Sequence, residues 1–363
     1  MDKHLTRVRI SDIARRAGVS AGTVDRVLHN RGEVSEKTRN SVLEILRELN
    51  YEPDILASTL ASRKTLKLAS LTPEPTNDSL FWKEPEKGFD KALNQVKHYG
   101  IEFRPFCFNY FENNSFKNAL EKLTEWSPDG IVMVPSFSDL TTVFLSKCQE
   151  KNIPVVFLNM NLPELPNISF VGQDPLRSGM VAARLLDFGL KQNDSLLIIN
   201  IMSDKVANKH LLTREEGFRS FFINEGKVKR KKLSTLNISG SDRDLICSKL
   251  KEAINPAKKG CIPSGIFVTN SRVFHVADYL YKNGISDITL IGYDLLEANI
   301  THLKNNTINF LIGQNPVEQG YRSLMALFDT LIMKKRVPAC QYLPIDIITK
   351  ENIDYYLTDQ INE

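Results

Sequence analysis

Five arginines, Arg9, Arg15, Arg16, Arg26 and Arg31, fall between positions 9 and 31, beside Ser20, Thr23 and Asn30. Guanidinium groups neutralise phosphates and can grip the O6 and N7 atoms of guanine, so this set suits a nucleic-acid duplex. Something must hold these side chains on one surface. Ile13, Ala14 and Ala17 share one helical face, and Gly18-Val19-Ser20 ends that helix because Gly takes positive φ without steric penalty. Ser20 then caps a second helix, in which Val24, Val27 and Leu28 form an apolar stripe. Two short helices joined by a tight Gly turn make a helix-turn-helix, whose second helix fits the DNA major groove. The plainer alternative is a pair of ordinary bundle helices. The Ala-Gly-Val-Ser turn and its arginines favour DNA.

The chain has 363 residues, enough for two or three domains. Its formal net charge is only +4, yet residues 1–31 hold seven Lys/Arg against three Asp/Glu. A basic DNA reader on a near-neutral body has this asymmetry. Five cysteines, Cys107, Cys148, Cys247, Cys261 and Cys340, are scattered without CxxC pairs. They point to a reducing cytosol and against a disulfide framework or a zinc site. The polar N-terminus lacks the continuous apolar run of a signal peptide, and no segment approaches the ~20 apolar residues of a membrane helix. No short-period repeat or low-complexity tract stands out.

Ser35 precedes Glu36-Lys37-Thr38 and the periodic run Val42, Leu43, Ile45, Leu46 and Leu49, which predicts a third helix capped by Ser35. Pro53 opens a short segment through Ser62, with Arg63-Lys64-Thr65 as a linker. From Ile10 to Leu60 the chain resembles the DNA-binding head of the lactose-repressor/galactose-repressor family of bacterial regulators. The resemblance rests on Asp12-Ile13-Ala14, Ala17-Gly18-Val19-Ser20, Thr23-Val24, Arg26-Val27, Val34-Ser35, Lys37-Thr38-Arg39, Leu49-Asn50-Tyr51 and Pro53. It implies that Pro53–Ala61 is the family's hinge helix, which folds on the operator and pairs across a dimer. Leu60 sits at the position of the minor-groove wedge, with Ala57 one turn earlier. A linker leucine docked on the body is the alternative for Leu60.

The second helix departs from the family pattern. Ala21 and Gly22 stand where relatives often carry larger base-reading side chains, leaving a thymine-methyl contact or close backbone approach. Asp25 replaces a residue that is usually small and neutral; it accepts from cytosine N4, or repels phosphate and so excludes registers, or is a solvated surface acid. Arg26 is the best guanine reader, worth ~1–3 kcal/mol if bidentate. Asn30 and Arg31 suit phosphate, with Arg9, Ser20 and Thr23 completing the candidate DNA contacts.

The body starts near Leu66. Strand candidates are Leu66–Leu71, Ile101–Phe108, Gly130–Val134, Val155–Leu158, Ser195–Ile201, Ile266–Thr269 and Ile288–Gly292. Helical patterns lie between them: Lys83–Tyr99, Asn113–Trp126, Asp139–Lys151, Leu176–Leu190, Thr213–Glu225, Arg243–Ile254 and Arg272–Asn283, with a later helix at Val317–Met333. This alternation predicts parallel α/β sheets that bind ligands at the carboxyl ends of their strands, and the length predicts two lobes. The same stretch resembles the two-lobed sugar-binding proteins of bacterial periplasms, whose fold the family's repressors share. Phe81-Trp82, Gly88-Phe89, Ile153-Pro154-Val155-Val156 before Asn159, and Thr213-Arg214-Glu215-Glu216-Gly217-Phe218 carry it. Val268-Thr269-Asn270, Ile291-Gly292-Tyr293-Asp294 and Ile312-Gly313-Gln314 follow in order. It implies three crossings between lobes, near Gly172, near Gly313 and around Cys340.

Asp294, Arg214, Asn270, Gln314 and Asn159 then form a donor and acceptor set for a hydroxyl-rich ligand. Phe81, Trp82 and Tyr293 are the candidates to present flat faces to a sugar ring, with core packing as the alternative for Phe81 or Trp82. Relatives often carry Asp at position 159, and many repressors place Asp where Ser271 stands. No P-loop, G-x-G-x-x-G, G-x-S-x-G or H-E-x-x-H motif is present. His4, His29, His98, His210, His275 and His302 are dispersed without metal-ligand spacing and read as surface or capping residues.

The expected architecture is an α/β protein. A three-helix helix-turn-helix DNA-binding domain (1–52) and a hinge helix with linker (53–65) precede a two-lobed, type I periplasmic-binding-protein-like effector domain (66–363). Lobe 1 covers about 66–172 and 314–340, lobe 2 about 173–313 and 341–363. The expected function is a cytoplasmic, ligand-responsive transcriptional regulator, repressing carbohydrate-use genes as a homodimer on a near-palindromic double-stranded DNA operator. It needs no cofactor, metal or membrane. A sugar phosphate or purine effector, or a DNA-binding head fused to a sugar-metabolising enzyme, are the alternatives. The C-terminal tail has no leucine-heptad extension that would suggest tetramers.

Overall fold

The computed structural model describes residues 8–28, 31–32, 34–49, 51, 65–76, 80–189, 194–202, 208–225, 232–240, 242–254 and 262–358. Two compact units divide the chain, residues 1–62 and 63–363.

In the first unit, helices α1 (Ile10–Ala17), α2 (Ala21–Leu28) and α3 (Glu36–Glu48) enclose a small core of Ile13, Ala14, Val24, Val27 and Val42. The turn forms as the sequence predicts. Gly18 takes φ 64°, and the Val19 amide donates back to the Ala14 carbonyl at 3.0 Å. Ser20 Oγ accepts from the Thr23 amide at 3.1 Å, and Ser35 Oγ from the Thr38 amide at 3.3 Å. Each cap is worth about 1 kcal/mol, appreciable for so small a core. Arg16 and Glu48, 2.6 Å apart, tie α1 to α3. The segment read as a hinge helix, with Ala57 and Leu60, lies outside the described residues, as does Asn30.

In the second unit, two six-stranded sheets carry the same design. The first runs β11-β5-β4-β3-β1-β2, from β1 (Leu66–Pro73), β2 (Ile101–Phe108), β3 (Gly130–Met133), β4 (Val155–Leu158), β5 (Ser169–Gly172) and β11 (Cys340–Tyr342). The second runs β12-β10-β9-β8-β6-β7, from β6 (Ser195–Met202), β7 (Lys232–Ser239), β8 (Gly265–Val268), β9 (Thr289–Tyr293), β10 (Phe310–Gly313) and β12 (Asp346–Ile348). Pairing is parallel except for β10 with β12. Helices cover both faces, which is why the central strands β3, β4, β5 and β8 are buried throughout. In lobe 1 these are α4 (Glu84–Gln95), α5 (Asn113–Trp126), α6 (Ser138–Glu150) and α12 (Pro316–Leu331). Lobe 2 has α7 (Pro175–Gly189), α8 (Lys209–Asn224), α9 (Arg243–Ala253), α10 (Val273–Lys282), α11 (Glu297–Lys304) and α13 (Ile353–Thr358).

The chain crosses between lobes after Gly172, after Gly313 and between Tyr342 and Asp346. The last crossing comes slightly later than the 340/341 boundary expected from sequence, because Cys340–Tyr342 pairs with β5 of the first sheet. The first two crossings repeat one sequence: Gly172-Gln173-Asp174-Pro175 and Gly313-Gln314-Asn315-Pro316, each followed four residues later by Gly179 or Gly320. Those glycines let paired helices touch backbone to backbone. A Cβ at Gly179 would lie 1.9 Å from the Arg214 carbonyl oxygen, and one at Gly217 1.9 Å from that of Leu176. Lobe 1 repeats the contact. A Cβ at Gly320 would lie 2.1 Å from the Pro85 carbonyl oxygen, and one at Gly88 2.0 Å from that of Val317. Gln173 Nε2 donates to the carbonyls of Gly313 (2.9 Å) and Pro344 (3.0 Å), so one buried amide clasps all three crossings. Helix α12 spends its apolar face inside lobe 1, burying Leu324, Ala326, Leu327 and Phe328.

Candidate functional site

In the first unit α2 buries Val24 and Val27 and exposes Ala21, Gly22 and Arg26, with Thr23 and Asp25 half-buried. Arg9 and Arg31 are also exposed. Asp25 lies 3.6 Å from the Arg31 guanidinium, which gives it a local partner. Ser20 and Thr23 bond to each other at 2.9 Å while capping the helix, so their first task is to fix its entry. The result is a short helix with one buried edge and an opposite edge that carries small residues and a guanidinium.

In the second unit a cavity of about 530 Å³, mouth included, opens between the two sheets. Lobe 1 lines it with Phe81, Trp82, Tyr110 and Asn159; lobe 2 lines it with Asn208, His210, Arg214, Asn270, Ser271, Arg272 and Asp294; Gln314 stands at the second crossing. Asn159 and Asp294 occupy matching places, each immediately after the strand third from the β11 or β12 edge of its sheet, β4 or β9. Both take left-handed backbone, φ 65° and 68°, which Asn and Asp tolerate better than other non-glycine residues.

Gln314 joins the two sides. Its amide NH₂ donates to both Asp294 carboxylate oxygens, at 3.0 and 2.8 Å. Its Oε1 accepts from the Arg214 guanidinium at 2.5 Å and from Asn159 Nδ2 at 3.3 Å. Gln319 holds Gln314 in turn, donating to its carbonyl at 2.8 Å. Arg214 also donates to the Thr269 carbonyl at 2.8 Å and lies 3.9 Å above the Tyr293 ring. Its helix is fixed by the glycine contact at Gly179 and Gly217. Asn270 donates to the Ile201 carbonyl at 2.6 Å and accepts from the Arg272 amide at 3.2 Å, so it shapes the turn after β8 while facing the cavity.

Tyr293 does not present a ring to the cavity. It is 0% exposed, its hydroxyl bonds to Ser178, and the Arg214 guanidinium covers one face. It is the last residue of β9 and alternates inward, so Asp294, one step later, takes the cavity position. Phe81 and Trp82 both reach the wall, edge to face with centroids 5.0 Å apart; Trp82 also packs on the lobe 1 core.

Several wall residues escape a reading based on motifs, among them Asn208 just before α8. His210, expected at the surface or in a cap, faces the cavity from the first turn of α8. Tyr110 follows β2, and Arg272 sits two residues beyond Asn270; their places after strands were the available signal. Arg272 lies 5.1 Å over Phe111 of the opposite lobe, and Lys209 pairs with Glu164 across the mouth at 2.9 Å.

Burial sets the charge states. It pushes Asp294 up to about 7, against the opposing pull of Arg214 and the Gln314 hydrogen bonds. Burial, helped by Arg214, drives His210 down to about 3 and leaves it neutral. Tyr110 is pushed up to about 12, also by burial. Among the described residues, no group of His, Cys, Asp and Glu is placed to hold a metal ion, and no helix is long and apolar enough to cross a membrane.

Residues 9–54 match the family model of bacterial regulatory proteins, lacI family, and residues 69–335 match a periplasmic binding protein domain. The chain is 29% identical over 290 residues to the ribose operon repressor of Bacillus subtilis, covering 78% of this chain and 81% of that one. It is 25% identical to the sucrose operon repressor of Streptococcus mutans, over 95% of this chain and 99% of that one. The crystal structure of a LacI transcriptional regulator from Bacteroides fragilis superimposes with a TM-score of 0.73 at 30% identity, covering 81% of this chain and 100% of that one. The chain therefore belongs to the lacI family of bacterial regulatory proteins, a DNA-binding head on a periplasmic-binding-protein-like body.

Proposed function

We propose that this protein is a cytoplasmic repressor of carbohydrate-use genes that binds a near-palindromic operator as a homodimer and takes a sugar into the cleft between its lobes. One head reads one half-site, so a two-fold operator calls for two heads. The domain assignment follows: residues 1–52 contact DNA, 53–65 form hinge and linker, and the rest binds the effector. The observation that supports the reading best is the Asp294–Gln314–Arg214 cluster, which links lobe 2 to a crossing and through Asn159 to lobe 1. A ligand that bonds to this cluster favours one arrangement of the lobes. It shifts DNA affinity only by its differential affinity for the two states, ordinarily ~1–3 kcal/mol. The operon repressors among the relatives support the same direction. The role is binding without turnover.

The test joins two measurements on the full chain. A thermal-shift screen of mono- and disaccharides, sugar phosphates and nucleobases should give a hit; at 100 Kd a ligand stabilises the body by ~2.7 kcal/mol. The same ligand should change the affinity for promoter DNA in a fluorescence-anisotropy titration. Removal of residues 1–62 should abolish DNA binding and keep the ligand shift. A ligand that is chemically converted, or one that leaves DNA affinity unchanged, would contradict the reading.

A further inference from the structure

We infer that Asn200, Thr269 and Glu215, none of which lines the cavity, are the residues that position Arg214 and Asn270 in the effector site. This rests on the reading of the cleft as that site and adds the side chains that hold its lobe 2 wall in place.

Strand β6 turns Leu196, Ile198 and Asn200 to one face, because alternate residues share a side. Leu196 and Ile198 pack in one cluster with Phe218 and Phe222 of α8. The third place in that apolar row is an amide, 0% exposed. A buried amide is costly unless its groups are bonded. Asn200 is bonded at both ends. Its Nδ2 donates to the Glu215 carboxylate at 2.7 Å and to Asn237 of β7, its partner across the sheet, at 2.8 Å. Its Oδ1 accepts from the Thr269 hydroxyl at 2.7 Å. A carboxylate only accepts, so Glu215 fixes which way the amide points.

Thr269 follows β8 directly and is also buried, and its carbonyl accepts from Arg214 Nη1 at 2.8 Å. Asn270 comes next and faces the cavity. The hydroxyl bonded to Asn200 therefore fixes both the peptide that anchors the guanidinium and the turn that presents the amide. Arg214 and Glu215 are consecutive in α8, so the first ties the helix to the end of β8 and the second ties it to β6. Glu215 is held in turn by the Arg219 guanidinium at 2.8 Å and the Thr235 hydroxyl at 2.6 Å. Burial pushes its carboxyl up, but the bonds from Thr235, Asn200 and Arg219 outweigh that and hold it below the usual carboxylate range. Hydrogen bonds to an ionised acceptor are roughly twice as strong as neutral ones. The relay thus runs from a carboxylate beside the edge strand β7, through Asn200 and Thr269, to the wall of the cleft. A guanidinium with a fixed acceptor meets its ligand already ordered, which raises affinity.

The experiment uses the full chain and has two arms. The first is isothermal titration calorimetry with D-ribose, D-glucose, D-galactose and D-fructose. Thr269→Val removes the hydroxyl and keeps the shape and the carbonyl; it should raise Kd about tenfold, the loss of roughly one hydrogen bond. Thr269→Ser, which restores the hydroxyl, should return Kd to near the parent value. Leu196→Ala loosens the same face of β6 outside the relay; it should lower Tm and leave Kd within about twofold. The second arm needs no ligand. In protein carrying isotope-labelled arginine, a guanidinium held by fixed acceptors gives separate Nη proton signals in the nuclear magnetic resonance spectrum. Arg214→Lys identifies those of Arg214 by their loss. Thr269→Val and Asn200→Ala should merge them, and Leu196→Ala should leave them apart. Equal losses of affinity in Thr269→Val and Leu196→Ala, or Arg214 signals that Thr269→Val leaves unchanged, overturn the inference while the sugar-effector reading stands. Silence from every sugar counts against that reading instead, and the arginine signals alone then uphold or overturn the inference.

Discussion

The two lobes share a backbone design and divide the chemistry. Each has the same strand order, a Gly-Gln-Asx-Pro crossing and a helix pair joined through facing glycines. Each also turns left-handed immediately after the matching strand, β4 or β9. Yet lobe 1 puts Asn159 at that turn and aromatic rings around it, whereas lobe 2 puts Asp294, two guanidiniums and a histidine. Backbone duplication fixes where side chains point; the side chains then specialise. Lobe 1 brings rings and amides to the cavity and lobe 2 brings charge, and Gln314 hydrogen-bonds to residues of both.

The sharpest way to break this comparison is through the glycines that both lobes need. Gly217→Ala in lobe 2 and Gly88→Ala in lobe 1 each drive a Cβ to within 2.0 Å of a carbonyl oxygen. Both should destabilise the body by about 3 kcal/mol or more in urea titrations. At ligand concentrations where the folded fraction is controlled, Gly217→Ala should also lose ligand binding, because α8 carries Arg214. If it binds normally, the helix contact does not position that residue.

The next comparison sets the twin turn residues against each other. Asp294→Ala should remove the ligand's effect on DNA affinity while DNA binding persists. Asn159→Ala should weaken ligand binding about tenfold, the loss of roughly one hydrogen bond to a buried partner. Equal effects in anisotropy titrations would mean that the lobes are not specialised.

A third prediction concerns pH. Burial raises Asp294 from 3.8 to about 7, so the folded body holds this proton more tightly than the unfolded chain. The group's contribution to stability is thus full below about pH 4 and is lost as pH rises through 7. Asp294→Asn should raise Tm above that of the parent protein by ~2–6 °C at pH 8 and by nothing at pH 4. The matching Asn159→Ala variant should show no such pH window. A Tm difference that is constant with pH would refute the assignment.

The smallest effect belongs to the mouth. Lys209 and Glu164 pair across the lobes, both half-exposed, and such pairs contribute ~0–1 kcal/mol. Glu164→Gln should change ligand affinity less than about threefold, and 0.5 M salt should remove even that. A larger change would make the pair a true latch between lobes.

Much of this was readable before any coordinates. The head was legible because its signals are local: a glycine at φ 64°, two serine caps and a short apolar stripe lie within a few residues of one another. Five strands escaped the sequence reading, β5, β7, β10, β11 and β12, together with α11 and α13. Four of those strands are only three or four residues long. The fifth, β7, is an edge strand that alternates Lys232, Ser234 and Asn237 with modest apolar residues, so no apolar run announces it. Asp294, Gln314, Asn159 and Asn270 were legible because each follows a strand at the carboxyl edge, whereas Arg214 was carried by its Arg-x-x-Gly-aromatic motif and lies in the second turn of α8, not at the helix start that the sequence suggests. Tyr293 was misplaced by one step of strand alternation, and His210 was missed because a lone histidine has no spacing to betray it.

The sequence by itself determined the family, the helix-turn-helix, the two-lobed α/β body and the list of polar residues at strand ends. Those features depend on periodicity, capping and turn chemistry, which act over a few residues. The tertiary structure decided which of those residues meet. Arg214 and Gln314 are 100 positions apart and Asn159 and Gln314 are 155 apart, yet each pair shares a hydrogen bond. It also decided their charge, because the burial that lifts Asp294 and silences His210 comes from packing two sheets and their helices around a cleft. Desolvation depends on everything that surrounds a group, and that environment exists only when the chain has folded.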